Sequence, residues 1–210
     1  MQSAGAWWRC RQMLLGWGSV GLVYGSTSLL QSAPALLPES ALDRLIPFDA
    51  AGIWLYLSFF ALIPVSFALA PPQRLRWLRT AMQCAALACG AVFLAWPTTL
   101  AYPSLPGDGL SSTVLSWLIA GDSRQNCLPS LHGALTLLSV WALLDSRRKL
   151  RSASAIGWGL AICYSVVQTR QHVSLDLAAG LLVGLAAGTV ATWLARPKVS
   201  AVTLIQGPSQ

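Results

Sequence analysis

The chain has 210 residues, of which 55% are hydrophobic and only 10% charged, and its formal net charge is +7. Soluble domains carry roughly 25% charged residues, so this composition leaves too few polar side chains to give helices a solvated face and argues against a soluble helical protein. The basic excess is spread between apolar runs rather than gathered on one polar module, which argues against nucleic acid as a partner.

A helix needs roughly 20 apolar residues to cross a bilayer. Six segments fit in chain order: Met13–Leu30, Ala50–Ala70, Thr80–Ala101, Ser130–Leu144, Ala153–Thr169 and Leu177–Ala195, the fourth and fifth being short. The expected fold is all-α, a six-helix transmembrane bundle in a single domain over residues 1–210, with short interfacial helices on the outer side. The first segment has the basic flank of a signal peptide, but its apolar stretch is longer and no small-residue cleavage site precedes Glu39, so it reads as a retained helix. Gln31–Asp49 contains Pro34, Pro38 and Pro47 and is expected to be irregular. In Leu110–Ala120 the residues Leu110, Val114, Leu115 and Leu118 share one helical side, which suggests a helix lying in the interface. Gly180, Gly184 and Gly188, and likewise Gly21 and Gly25, recur every fourth residue, a spacing that lets helix backbones approach closely. Packing inside one bundle is the first reading of it, and a homo-oligomer interface is the other.

Lys and Arg mark the cytoplasmic ends of spans. All but Arg44, Arg124 and Arg170 of the 14 basic residues fall before the first span, between the second and third, between the fourth and fifth, or after the sixth. Alternate loops are therefore cytoplasmic, as are both termini, and the expected location is the plasma (inner) membrane. Acidic residues Glu39, Asp43, Asp49, Asp108, Asp122 and Asp176 fall on or near the opposite side. The basic loops also suit anionic lipid headgroups. Of the five cysteines only Cys127 faces the oxidising side, so no internal disulfide is expected there. Trp7, Trp8, Trp54, Trp77, Trp96 and Trp193 near span ends read as an aromatic belt.

Ionisable residues at or within a span are costly and mark function. His132, His172 and Asp176 are the clear ones, all at the outer edge. With the last helix starting near Thr169 or His172, His172 and Asp176 lie four apart on one face. The carboxylate then holds one ring nitrogen and leaves the other free to attack an electrophile. Arg170 offers a fork of donors for phosphate oxygens. Ser130 and the backbone N–H groups after Pro129, Gly133 among them, open a helix whose positive end favours an anion. His132 stands there to protonate a leaving oxygen. Each has a plainer reading: the histidines as interfacial caps, Arg170 snorkelling to headgroups, Ser130 as an N-cap.

The segments Pro129-Ser130-Leu131-His132 and His172-Val173-Ser174-Leu175-Asp176 resemble the second and third motifs of the type 2 phosphatidic acid phosphatase superfamily of lipid phosphate phosphatases, whose patterns are Pro-Ser-Gly-His and His-x-x-x-Asp. The Leu131 variant, with Asp122 and Asn126 ahead of it and Thr169 before His172, is similar to the branch containing inositol phosphorylceramide synthases. The resemblance is strongest over Asp122–Gly184. It implies six helices, a lipid phosphate substrate and no metal or other cofactor. It also implies His172 as a nucleophile that becomes phosphorylated, Asp176 as its orienting partner and His132 as acid and base. Two features depart from the family. Val166 stands where its third motif usually has Arg, and the Lys and Arg-Pro of its first motif have no counterpart near Trp96–Pro103. Arg124 and Asn126 are the candidates to supply phosphate contacts instead.

The sequence therefore points to a metal-independent lipid-phosphate phosphatase or phosphotransferase. Two other classes remain open. A b-type haem protein with His132 and His172 as axial ligands explains the paired histidines but leaves Asp176, Arg170 and Ser130 idle, and an inactive membrane scaffold fits the missing first motif. A serine protease is not expected, because no Gly-x-Ser-x-Gly elbow appears.

Overall fold

The computed structural model describes residues 5–30, 33–104 and 109–195. The chain is mostly helical. Helix α1 spans Ala6–Leu29, and the short helix α2 spans Ala41–Leu45. A 3-10 turn at Ala50–Gly52 leads into α3 (Ile53–Leu57) and α4 (Phe59–Leu69). Then come α5 (Pro72–Ala95), α6 (Leu110–Gly121), α7 (Leu131–Leu143), α8 (Lys149–Gln168) and α9 (Ser174–Leu194).

Four stretches are long and apolar enough to cross a membrane: Ala50–Leu69, Pro72–Ala95, Lys149–Gln168 and Ser174–Leu194. They match the second, third, fifth and sixth expected spans. The first expected span lies almost wholly within α1, which is 24 residues long, but is less apolar, because it carries Gly16, Gly18, Ser19, Gly21, Gly25, Ser26 and Ser28. The fourth is apolar but only 13 residues long. Leu22, Leu87, Leu160, Leu182 and Trp193 lie exposed on helix surfaces. Such a surface suits lipid rather than water, and the chain is a membrane protein.

The core lies where α5 packs between α1 and α9, with α7 inserted among α4, α5, α8 and α9. Phe67, Leu75, Leu78, Met82, Phe93, Leu135 and Leu138 fill it. The seam between α7 and α9 is glycine-lined. A Cβ added at Gly180 would stand 2.1 Å from the Ser130 carbonyl oxygen, one at Gly184 2.8 Å from that of Ala134, and one at Gly188 2.5 Å from the Trp141 ring. This spacing therefore serves packing within the chain. At Gly21 and Gly25 an added Cβ would meet nothing within 4 Å, so that pair is not used in the same way.

Gly180→Ala tests the seam, since backbone cannot yield as a side-chain tip can. Overpacking of this kind typically costs about 1–3 kcal/mol. The variant is expected to unfold at a clearly lower temperature in detergent than Gly18→Ala, whose Cβ would also meet nothing within 4 Å. Equal midpoints for the two would refute a close-packed seam.

Within the expected irregular loop Gln31–Asp49, the described residues 33–49 are more ordered than the prolines suggested. Ala35–Leu36 (β1) pairs in parallel with Thr98–Thr99 (β2), and Thr98 also bridges to Asn126. Ser40 and Asp43 form a reciprocal capping box that starts α2. The helix expected within Leu110–Ala120 is present as α6.

The ends of the bundle are chemically distinct. Arg9 donates to the carbonyls of Phe67 (2.8 Å) and Ala70 (3.0 Å), and Arg151 to that of Leu69 (3.0 Å). Arg74 donates to carbonyls at the end of α7, those of Trp141, Ala142 and Leu144. Cations here satisfy the unpaired C-terminal carbonyls of α4 and α7. The histidines lie at the opposite end.

Candidate active site

Three helix ends build the site. Ser130 is the N-cap of α7, its hydroxyl accepting from Gly133 N–H at 3.2 Å, and His132 follows in the first turn. Helix α8 stops at Gln168. The chain then reverses through Arg170, the one non-glycine residue with positive φ (55°) among the described residues. The N–H groups of Gln171 and His172 both return to the Val166 carbonyl, at 3.1 and 3.0 Å. Helix α9 begins only at Ser174, with Val173 extended ahead of it. His172 therefore sits before the helix, not on its face as the sequence reading had it. Asp176 reaches it from the first turn, because side chains there lean back toward the N-terminus. The two motifs are tied directly, Ser130 N–H donating to the Asp176 carbonyl at 2.9 Å.

The side chains form a row: Tyr56 hydroxyl to His132 Nε2 at 2.9 Å, His132 Nδ1 to His172 Nε2 at 3.1 Å, and His172 Nδ1 to Asp176 Oδ2 at 3.0 Å. Tyr56 and Asp176 are fully buried and His172 nearly so. With Asp176 ionised, one proton placement satisfies every link with both imidazoles neutral. Tyr56 O–H donates to His132 Nε2, His132 Nδ1–H donates to His172 Nε2, and His172 Nδ1–H donates to Asp176. This network logic assigns the tautomers. It leaves His172 Nε2 with its lone pair facing the only proton His132 can give away.

Two cavities meet at His132. A largely apolar one of about 420 Å³ runs between α1, α3, α4, α6 and α7, lined by Trp17, Val20, Phe59, Phe60, Trp117 and Leu135 among others. A small polar recess adjoins it and touches both histidines. Its other walls include Asp122, Ser123, Asn126, Gln171, Tyr24 and Tyr102, and its lining holds no Lys or Arg among the described residues. Tyr24 O–H donates to Asp122 Oδ1 at 2.6 Å, and Ser123 N–H to the same oxygen at 2.8 Å.

The structure thus brings His132, His172 and Asp176 together. The phosphate-contact residues expected from the sequence lie differently. Ser130 is wholly buried as a cap, and Gly133 lets α7 sit on Leu177 of α9. Asn126 lines the recess, but its amide donates to the Tyr24 carbonyl (3.1 Å) and the Thr27 hydroxyl (3.0 Å). Arg124 is exposed on the turn after α6. The Arg170 guanidinium donates to the carbonyls of Asp43 (3.0 Å), Ile46 (2.8 Å) and Val167 (3.3 Å), and does not line the recess.

Sequence reasoning missed Tyr56 and the Tyr24–Asp122 pair. Neither tyrosine has a local mark that sets it apart from the other aromatics of its helix. Cys127, expected on the outer surface, is buried, and burial pushes its thiol up to about 12, with the nearby Asp176 carboxylate adding to the rise. It is neither an accessible thiol nor a reactive one.

Asp43 is a further buried carboxylate outside the spans. Burial alone would raise it. Hydrogen bonds from Ser40 and Ser174 outweigh that and hold it below the usual carboxylate range.

No curated protein matches the chain. The row from Tyr56 to Asp176, with both cavities' polar walls from Tyr102 onward, falls within residues 48–190, and these match the PAP2 superfamily. That match covers more than half the chain, which belongs to this superfamily of phosphatases and phosphotransferases.

Proposed function

We propose that the protein is a six-span membrane phosphatase or phosphotransferase that transfers the phosphoryl group of a lipid phosphate through a phosphohistidine on His172, without a metal, at the outer face. The row Tyr56–His132–His172–Asp176, opening onto an apolar cavity, carries this reading. The apolar cavity accepts an acyl or prenyl chain, and the phosphorus comes to lie at the two histidines.

The chemistry follows from the proton placement. Substrate exchanges the hydrogen bond between the histidines for contacts to its phosphoryl group. His172 Nε2 attacks phosphorus as the P–O bond to the leaving group breaks. His132 Nδ1–H gives its proton to that oxygen. Asp176 stabilises the positive charge left on the His172 ring. Water or an alcohol then attacks phosphorus, gives its proton to His132 Nδ1, and releases His172. Tyr56, by donating to His132 Nε2, keeps the His132 proton on Nδ1 where it is needed.

The test is a panel of lipid phosphates given to purified protein in EDTA, with free phosphate and headgroup-exchanged lipid both measured. Phosphoryl release or exchange that survives chelation is expected. Loss in EDTA with recovery on one divalent ion would replace this mechanism with a metal-assisted one.

Orientation needs a reporter other than buried Cys127. Gly109 is exposed with open space at its Cβ, and Arg147 is exposed at the other end of the bundle. With wild-type background subtracted, Gly109→Cys is expected to react with an impermeant maleimide in intact cells, and Arg147→Cys only after permeabilisation. The reverse pattern would put the site on the cytoplasmic face.

A further inference from the structure

The turn that carries His172 is gripped from outside by α2, a helix more than a hundred residues earlier in the chain. On one flank the Arg170 guanidinium holds the carbonyls of Asp43 and Ile46, at the end of α2, with Glu39 Oε1 3.8 Å from its Nε. On the other flank the Asp43 carboxylate takes Ser174 N–H at 2.6 Å on Oδ1 and the Ser174 hydroxyl at 3.2 Å on Oδ2. Oδ2 also takes Ser40 N–H at 2.7 Å, and the Ser40 and Ser174 hydroxyls meet at 2.8 Å. Ser174 is the first residue of α9, and its N-cap, Val173, has no side chain able to cap it. Asp43 therefore supplies from another segment the cap that α9 lacks. Val173 itself packs with Leu37, Leu100 and Cys127.

We propose that α2 is a clamp that sets the position of His172, and that Asp43 and Arg170 are positioning residues rather than substrate ligands. His172 lies midway between the two attachments, two residues from each. The backbone of Arg170 adopts the left-handed conformation (φ 55°) that usually falls to glycine where a helix C-terminus uses it. An arginine there carries a guanidinium toward α2, and its contacts are to carbonyls of α2 and α8 and to Glu39 rather than to the recess. This role rests on His172 being the reacting group. A misplacement of about 1 Å in a reacting group can cost on the order of 10²-fold in rate.

Asp43→Ala cuts one attachment. Arg170→Gly cuts the other while keeping a residue suited to the left-handed backbone. Each is expected to lower kcat by about 10–100-fold with KM and the inhibition constant of inorganic phosphate unchanged. The double variant is expected to be no worse than the poorer single one, since the two act as a unit. Hydrogen exchange supplies a readout independent of activity: the amides of residues 171–174 are expected to exchange faster in both variants, while those of α5 do not change. Where Asp43→Ala does not fold, Asp43→Asn, which keeps one acceptor, takes its place. Unchanged kcat and exchange in both variants overturns the clamp. A raised KM and a raised phosphate inhibition constant in Arg170→Gly, with kcat kept, overturns it in favour of phosphate binding. Faster exchange together with an active His172→Ala upholds the clamp and removes the phosphohistidine reading instead.

Discussion

His172→Ala is expected to abolish turnover and to leave no covalent adduct. Wild-type protein quenched during turnover of a radiolabelled lipid phosphate should carry an acid-labile phosphoryl group that maps to His172. Loss of the nucleophile in a covalent enzyme costs on the order of 10⁶-fold in kcat, so residual activity should fall below detection. The expectation rests on position: His172 lines the recess, and its Nε2 is the ring nitrogen not held by Asp176 and meets His132 Nδ1. Asp176→Asn keeps the size of the partner. Its amide, however, can turn N–H toward Nδ1, drawing the proton to Nε2 and hiding the attacking lone pair. That variant should fold, bind and react slowly. Near-normal turnover by His172→Ala on the best substrate would end the mechanism.

Two kinds of information were unequally present in the sequence. Apolar runs located the helices, because a membrane helix must be apolar along its whole length whatever it packs against. The motif residues His132, His172 and Asp176 stood out, because charge is costly at a span edge and each needs a reason to be there. Ser130 read as a phosphate contact or as a cap, and its hydroxyl caps α7. The start of α9 was placed too early, since the spacing of His172 and Asp176 is satisfied equally by a helix or by an extended residue leading into a first turn. The remaining partners depend on contacts that no local pattern encodes. Tyr56 lies 76 residues from His132 in a span rich in aromatic residues. Asp43 carried no mark in the sequence beyond its place among the outer acidic residues; that its carboxylate caps α2 with Ser40 and reaches Ser174, 131 residues later, follows from packing alone. Arg170 was legible as a cation near a phosphate site, but its direction was set by a backbone φ that the residue type disfavours.

His132→Ala separates protonation of the leaving group from attack. General acid catalysis is worth about 10²–10⁴-fold, and a loss in that range is expected with a lipid alkoxide as leaving group. The loss should shrink sharply with a nitrophenyl phosphate, whose leaving oxygen needs no proton, and the labelled His172 adduct should then accumulate, because the second step has lost its base. Tyr56→Phe removes only the hydroxyl that holds the His132 tautomer. The buried ring nitrogen left without a donor makes the other tautomer competitive, and about a tenfold loss is expected, in line with the 1–3 kcal/mol that an unmet buried hydrogen bond costs. That loss should follow the same leaving-group dependence as His132→Ala but be smaller, since Tyr56 acts through His132. A Tyr56→Phe penalty that stays constant across leaving groups while the His132→Ala penalty varies would show that the tyrosine serves packing of α3 and not the proton.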